Sequence, residues 1–379
     1  MDTMRSLILL CLVLMVESSA AQMTPEEVGV SVFPEPTDSW FLIKSRAGSY
    51  IFDGATGEMQ GLISHDWYTT AVVTDMGRKE AYLLESFYSR SVRGTRDDVL
   101  TVVDMNDLSA KAEIDIPDKT ATLSFRNHIG LLGDGRHVVI FNMIPAQSVS
   151  IVDVIDREFA GEISTPGCAI IMPTGTDAFM MMCGDGTLQY IRIDADGAEV
   201  ARARSKPFFV VDEDPVIDKP MRTTEGWVMI SYEGLAYQVG VEKGKMKISE
   251  PWSLLSEDDK AEKWRPGGDQ PFSVHRESGL LYVLMHQGEA DTHYEPGTEI
   301  WVFDLERKKR TGRLSMGSDE NEGNTASHIL VSQESEPTLY VFDKERKLQI
   351  YDGILFRLLR TIEQTGPGPG LLQLLAQDD

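Results

Sequence analysis

The chain has 379 residues, 42% apolar and 25% charged, an ordinary globular composition with ample material for a large core. Its formal net charge of −24 argues against a nucleic-acid partner, because a phosphate backbone calls for a basic face and no sustained Lys/Arg block is present. An acidic surface suits solubility, or a basic patch on a partner.

The N-terminus reads "MDTMRSLILLCLVLMVESSAAQ". Arg5 precedes the apolar run Leu7–Val16, and small residues follow at Ser18–Ala21. This is the pattern of a secretory signal peptide over residues 1–21, too short and too weakly flanked for a membrane anchor. Cys11 sits among leucines, which argues against a lipoprotein signal. No later segment reads as membrane-spanning, so residues 22–379 are expected to be exported, and periplasmic in a Gram-negative source.

From residue 30 onward the chain alternates short β-type runs with Gly/Asp/Asn turns. One unit recurs: an apolar strand ending near an Asp, a polar turn, and a closing strand. It appears as "YIFDGATGEMQGLI", "TVVDMNDLSAKAEI", "SIVDVIDREFAGEI", "YIRIDADGAEVARA", "YQVGVEKGKMKI", "IWVFDLERKKRTGRL" and "QIYDGILFRLLRTI". The markers are Asp53, Asp104, Asp153, Asp194, Gly240 in place of Asp, Asp304 and Asp352. Upstream of most of them lies a second hairpin, as in "TDMGRKEAYLL" and "GDGRHVVIF". Four short strands per period of about 50 residues are a propeller blade, which cannot bury both faces alone and so stacks into a ring. The expected fold is all-β, a single seven-bladed propeller of four-stranded antiparallel blades over 22–379, without the Gly-His and Trp-Asp dipeptides of WD40 repeats.

Several stretches stand out within this frame. In "ESFYSRSVRGTRDDVLTVVD", Arg90, Arg93, Arg96 and Asp98 cluster between two strands, as a loop held by Arg–carboxylate bonds or as a docking surface for another subunit. "CAIIMPTGTDAFMMMC" is strand, turn and strand, which places Cys168 and Cys183 on neighbouring strands, suited to a structural disulfide in an oxidising compartment. The long interval 240–304 holds "EPWSLLSEDDKAEKW", the best helical candidate, with Ser256 as its N-cap. The loop Trp264–Gly268 then leads into two apolar runs separated by "HRESG" and reads as a connection. After the breaker-rich "TGPGPG", "LLQLLAQ" is expected to return as a strand that closes the ring, with Val28–Val32 as its partner.

Motifs for catalysis are scarce. No Gly-x-Ser-x-Gly elbow, His-Glu-x-x-His helix, phosphate loop or Cys-x-x-Cys is present. His286 and His293, with Glu289 and Asp291 between them, could ligate a metal, but hydrogen-bonded loop histidines are the commoner outcome and no metal is expected. Asp97–Asp98 and Asp258–Asp259 are adjacent pairs whose side chains point apart, which suits solvated surface better than acid–base catalysis.

"SRSVRGTRDD", the paired "GC…MMMCGDGTL", "SKPFFVVDEDP", "PWSLLSEDDKAEKWRPGG" and "THYEPGTEIWVFD" occur in order across nearly the whole mature chain. In these the sequence resembles the heavy (α) subunit of the tryptophan tryptophylquinone amine dehydrogenases, nearer the aralkylamine branch than the methylamine branch. The resemblance implies an α2β2 heterotetramer in the periplasm, in which the quinone and the catalytic Asp base sit on a small β subunit. Primary amine would be oxidised to aldehyde and ammonia, with electrons passing to a blue copper protein of the amicyanin or azurin type. This chain would then carry no cofactor and no catalytic residue. The resemblance also implies that Phe41, with Trp40 beside it, reaches toward the small subunit and narrows the substrate channel; packing in the core is the alternative for that strand. It matches Cys168 and Cys183 to a bridged pair. A stand-alone periplasmic propeller acting as a binding or scaffold protein is the rival reading.

Overall fold

The computed structural model describes residues 32–46, 48–66, 71–117, 126–317, 323–366 and 370–376. The expected signal peptide and most of Val28–Val32 lie outside these residues. Seven antiparallel sheets form the expected ring. Blade 2 shows the pattern: Val72–Asp75 lines the axis, followed outward by Glu80–Tyr88, Arg96–Asp104 and Ser109–Ile116. Blades 3 to 7 begin with the inner strands Ile129–Leu131, Cys168–Thr174, Met221–Thr223, Phe272–His275 and Ala326–Val331. Blades 5 and 6 each gain a short extra strand, Trp252–Ser253 and Trp264–Pro266.

The apolar core is divided by blade interface. Its seven clusters each join facing sides of two neighbouring blades, such as Phe179 and Met181 against Val139 and Ile151. Most inner strands are therefore buried on both faces, Met221–Thr223 being only half-buried, whereas outer strands are largely polar; Glu199–Arg204 has no fully buried residue.

The recurring Asp has a local cause. It ends the third strand, or directly follows it at Asp194, and its side chain accepts backbone N–H groups of the next turn. Asp153 Oδ1 accepts from Ile155 and Asp156 at 2.9 Å each, and Asp352 Oδ1 from Ile354 and Leu355. These Asx-turns mimic a backbone turn and set the hairpin geometry. Gly240 does not mark such a turn. It lies inside Leu235–Glu242, where an added Cβ would come within 2.8 Å of Glu225 O. The hairpin there turns at Lys243 and Gly244, both with positive φ, which a two-residue turn of the I′ kind needs.

The C-terminal strand Leu371–Leu374 does close the ring, pairing with Trp40–Lys44; the expected partner Val28–Val32 lies almost wholly outside the described residues. It takes the innermost place of blade 1, so Trp40–Lys44 is the second strand, followed by Gly48–Asp53 and Met59–Ser64. Two glutamines grip it. Gln373 bonds both the N–H and the C=O of Val72 on blade 2, and Gln270 bonds both those of Leu372.

In such a ring, connections between blades and between second and third strands emerge on one face, and the remaining turns on the other. The first face carries the long segments 205–220, 249–271 and 288–298; the second carries tight turns such as 76–79 and 305–308.

Candidate functional site

The long-connection face holds most of the stretches singled out by sequence. On blade 2, the hairpin between Tyr88 and Arg96 exposes Arg90 and Arg93. Arg96 turns inward, and its Nε donates to Asp98 Oδ1 at 2.9 Å, with Ser86 Oγ donating to the same oxygen. The cluster thus splits into a buried pair that holds the hairpin and two surface cations. Asp98 is buried, which corrects the solvated reading for one member of its pair, while Asp97 is exposed.

Asp259 is likewise buried. It caps the helix Glu257–Ala261 reciprocally with Ser256, the expected N-cap, and accepts from Arg310 Nη1 at 3.1 and 3.0 Å. Arg310 lies over the Trp301 ring, 4.2 Å from its centroid, and Trp301 packs against Trp264 at 5.0 Å. These contacts fasten the 249–271 segment to blade 6. The expected Trp264–Gly268 loop instead begins as the short strand Trp264–Pro266, paired with Leu280–Gln287, and only its glycines continue as a connection. A Cβ on Gly267 would meet the His286 ring at 2.5 Å, so only glycine fits between that ring and the loop.

His286 Nε2 pairs with Thr292 Oγ1 at 2.8 Å and His293 Nε2 with Tyr232 Oη at 2.9 Å. The two rings are engaged with different hydroxyls, and no group of three potential metal ligands converges among the described residues. Burial lowers the His286 pKa to about 4, with a smaller contribution from Arg265.

Cys168 and Cys183 are directly opposed in blade 4 and bonded, with a Cα–Cα distance of 3.9 Å. Cys183 lines a cleft of about 430 Å³ among blades 3, 4 and 5, together with Phe209 and Met182. Met143 and Val211 also line it and are exposed, as are the adjacent Ile144 and Val210.

Phe41 and Trp40 are placed elsewhere. Phe41 is wholly buried between blades 7 and 1, with Tyr340 at 4.4 Å and Phe52 at 5.7 Å between ring centroids. Trp40 packs edge-on against Phe33 between blades 1 and 2. Both occupy core positions within this chain. Trp67 lies outside the described residues.

Two polar groupings had no sequence signal. At the junction of blades 1 and 2, Lys44 is buried with its pKa lowered to about 8 by desolvation, opposed by Asp66. Beside it, His65 is lowered to about 4 by burial and Glu85 is raised by burial; Ser49 and His65 are hydrogen-bonded, and Glu85 accepts from Asp66 N. The second grouping is the central channel. Its long-connection mouth opens into a cavity of about 250 Å³ lined by Asp218, Lys219, Asp269, Tyr294 and His328. Further along the axis, toward the tight-turn face, lies a cavity of about 160 Å³ bearing Arg126, Arg222 and Arg276. Residue spacing along a strand reveals which face is buried, but not which side chains from seven distant segments meet on an axis.

Residues 36–376 match the family profile described as "Methylamine dehydrogenase heavy chain (MADH)". The methylamine dehydrogenase heavy chain of Methylophilus methylotrophus is 29% identical over 331 residues, covering 85% of this chain and 78% of that protein. That of Paracoccus versutus is 27% identical over 328 residues, covering 85% and 75%. Among solved structures, a functionally unknown protein from Desulfotomaculum acetoxidans superposes with a TM-score of 0.58 at 13% identity, covering 90% of this chain and 100% of that one. A putative 6-phosphogluconolactonase from Bacteroides fragilis gives 0.56 at 13%, covering 90% and 99%. These two likenesses are of fold. On the match across nearly all seven blades, the chain belongs to the methylamine dehydrogenase heavy chain family.

Proposed function

We propose that this chain is the heavy, non-cofactor-bearing subunit of a periplasmic quinone-dependent amine dehydrogenase. The match over residues 36–376 to the heavy-chain family carries this reading. A small partner subunit would hold the tryptophan tryptophylquinone, which supplies the oxidation of primary amine to aldehyde and ammonia and passes electrons on to a blue copper protein. The propeller contributes a rigid platform. Its own supporting feature is the asymmetry of its faces: long connections, the bonded cysteines and the exposed Met143, Ile144, Val210 and Val211 share one side, beside a cleft of about 430 Å³. Apolar side chains around a cleft suit the buried centre of an interface, and Arg90 and Arg93 on the same face suit its polar rim. The amine preferred, short or aromatic, depends on the partner's pocket.

The test is co-purification from the native source. A small, disulfide-rich subunit with visible quinone absorbance should accompany this chain, and a primary amine should bleach that colour. A chain that purifies alone, or that oxidises amines unaided, would overturn the assignment.

A further inference from the structure

Each blade of the ring ends in an outer strand with one edge bonded to its own sheet and one edge turned outward. Such edges present a row of N–H and C=O groups, and charged side chains are the usual protection against pairing with another chain. Most outer strands here have that protection: Ser109–Ile116 carries Lys111, Glu113 and Asp115, and Lys245–Ile248 alternates lysine with apolar residues. Leu358–Ile362, the outer strand of blade 7, does not. In and beside it Ile354, Leu355, Leu358 and Leu359 are all exposed, Leu355 at 72%. Among the described residues no strand pairs with its outer edge. The turn that leads into it lies on the tight-turn face, away from the long connections.

The charges around this strand complement their own reverse. Laid antiparallel against a second copy with Arg360 on the two-fold axis, the segment sets Arg357 opposite Glu363 at both ends and Leu358 opposite Ile362. Arg357 and Glu363 are both exposed. Glu363 shares Lys347 with Glu345, each 3.2 Å from its Nζ, which leaves that end net negative and suited to an arginine. Registers moved by two residues either way put Arg357 opposite Thr361 or Thr365 and lose both pairs. The cost is Arg360 facing its own copy on the axis. Two attractive cross-strand pairs stand against that one repulsive pair. The Arg360 stem also lies along blade 1, where a Cβ on Gly57 would be 3.3 Å from Arg360 Cδ, so the side chain is drawn toward its own propeller.

We propose that two copies of this chain dock edge to edge through Leu358–Ile362, continuing the blade 7 sheet across a two-fold axis. Main-chain bonds between the paired edges supply the attachment, the Arg357–Glu363 pairs set the register, and burial of Leu355, Leu358 and Leu359 adds apolar area removed from water. The contact lies on the outer wall toward the tight-turn face, so each copy keeps its long-connection face free for another subunit. The pairing does not depend on a quinone-bearing partner.

The test is sedimentation velocity of the full chain over a range of concentrations, where a species of two copies is expected. Arg357→Glu and Glu363→Arg should each weaken it about 10-fold or more, since each sets like charges opposite one another twice, and the double variant should recover most of the loss. Arg360→Cys gives a second readout should a charge variant fail to fold. Its two thiols meet on the axis, so mild oxidation should link the copies by a disulfide. Sedimentation as a single copy, alone or carrying a different polypeptide, would overturn the proposal. So would single charge reversals that leave the two-copy species intact, a double variant no stronger than the singles, or an Arg360→Cys chain that stays unlinked. Each outcome is read on this chain without amine turnover or quinone colour, so failure here is distinct from failure of the proposed function.

Discussion

Phe41 shows how strongly packing decides a residue's role. Its ring has no exposed surface and is enclosed by Tyr340 and Phe52, so Phe41→Ala would leave a cavity where blades 7 and 1 meet. The expected loss is about 3–5 kcal/mol, measured by urea unfolding. A variant of unchanged stability but altered amine preference would instead place Phe41 on a substrate path. Buried histidines make a second case. His65, His286 and His328 are each lowered from 6.5 to about 4, chiefly by desolvation. Between those values the unfolded chain holds a proton that the folded one refuses, so unfolding takes up protons and stability falls as pH drops from about 6.5 toward 4. Unfolding free energies measured across that window should show an uptake approaching roughly three protons. A flat profile would mean that these rings are charged in the fold.

At the scale of elements, the hairpins are held by side chains that act like backbone. Asp153 accepts two backbone N–H groups, and Arg136 adds an ion pair; its carboxyl pKa is lowered because these bonds outweigh its desolvation. Asp153→Ala is expected to cost about 1–2 kcal/mol in chemical unfolding, near the upper range for losing a cap. The wild-type contribution should be present above the ordinary carboxylate pKa and be lost as pH falls through the lowered folded value. Ring closure depends on a less regular device. Gln373→Leu would remove both side-chain bonds to the peptide groups of Val72, at about 0.5–1.5 kcal/mol for each hydrogen bond lost. Hydrogen exchange should then rise first at Leu371–Leu374; protection unchanged there would show that the closing strand does not rely on this grip. The Asp markers and turn glycines were legible because each acts within a few residues of itself. The glutamine grip was not, because Gln373 and Val72 are distant in sequence and share no pattern.

At the scale of the molecule, charge dominates. A net charge of −24 on one chain makes self-repulsion substantial, and salt screens exposed charges over about 10 Å at 0.1 M. Melting temperature should rise as sodium chloride increases from a few millimolar to about 0.15 M, with most of the gain at the low end. A fall over that range would show that surface ion pairs, such as Arg202–Glu199, outweigh the repulsion. Sequence by itself determined the repeat, the blade number, the paired cysteines and the capped helix, because local turn chemistry and strand alternation repeat wherever the same short-range forces act. Tertiary structure alone decided that Leu371–Leu374 pairs with Trp40–Lys44, that Phe41 is core, that Asp98 and Asp259 are buried, and that three arginines meet on the axis. Those outcomes depend on closing a ring, which brings together residues separated by most of the chain and leaves no periodic trace in it.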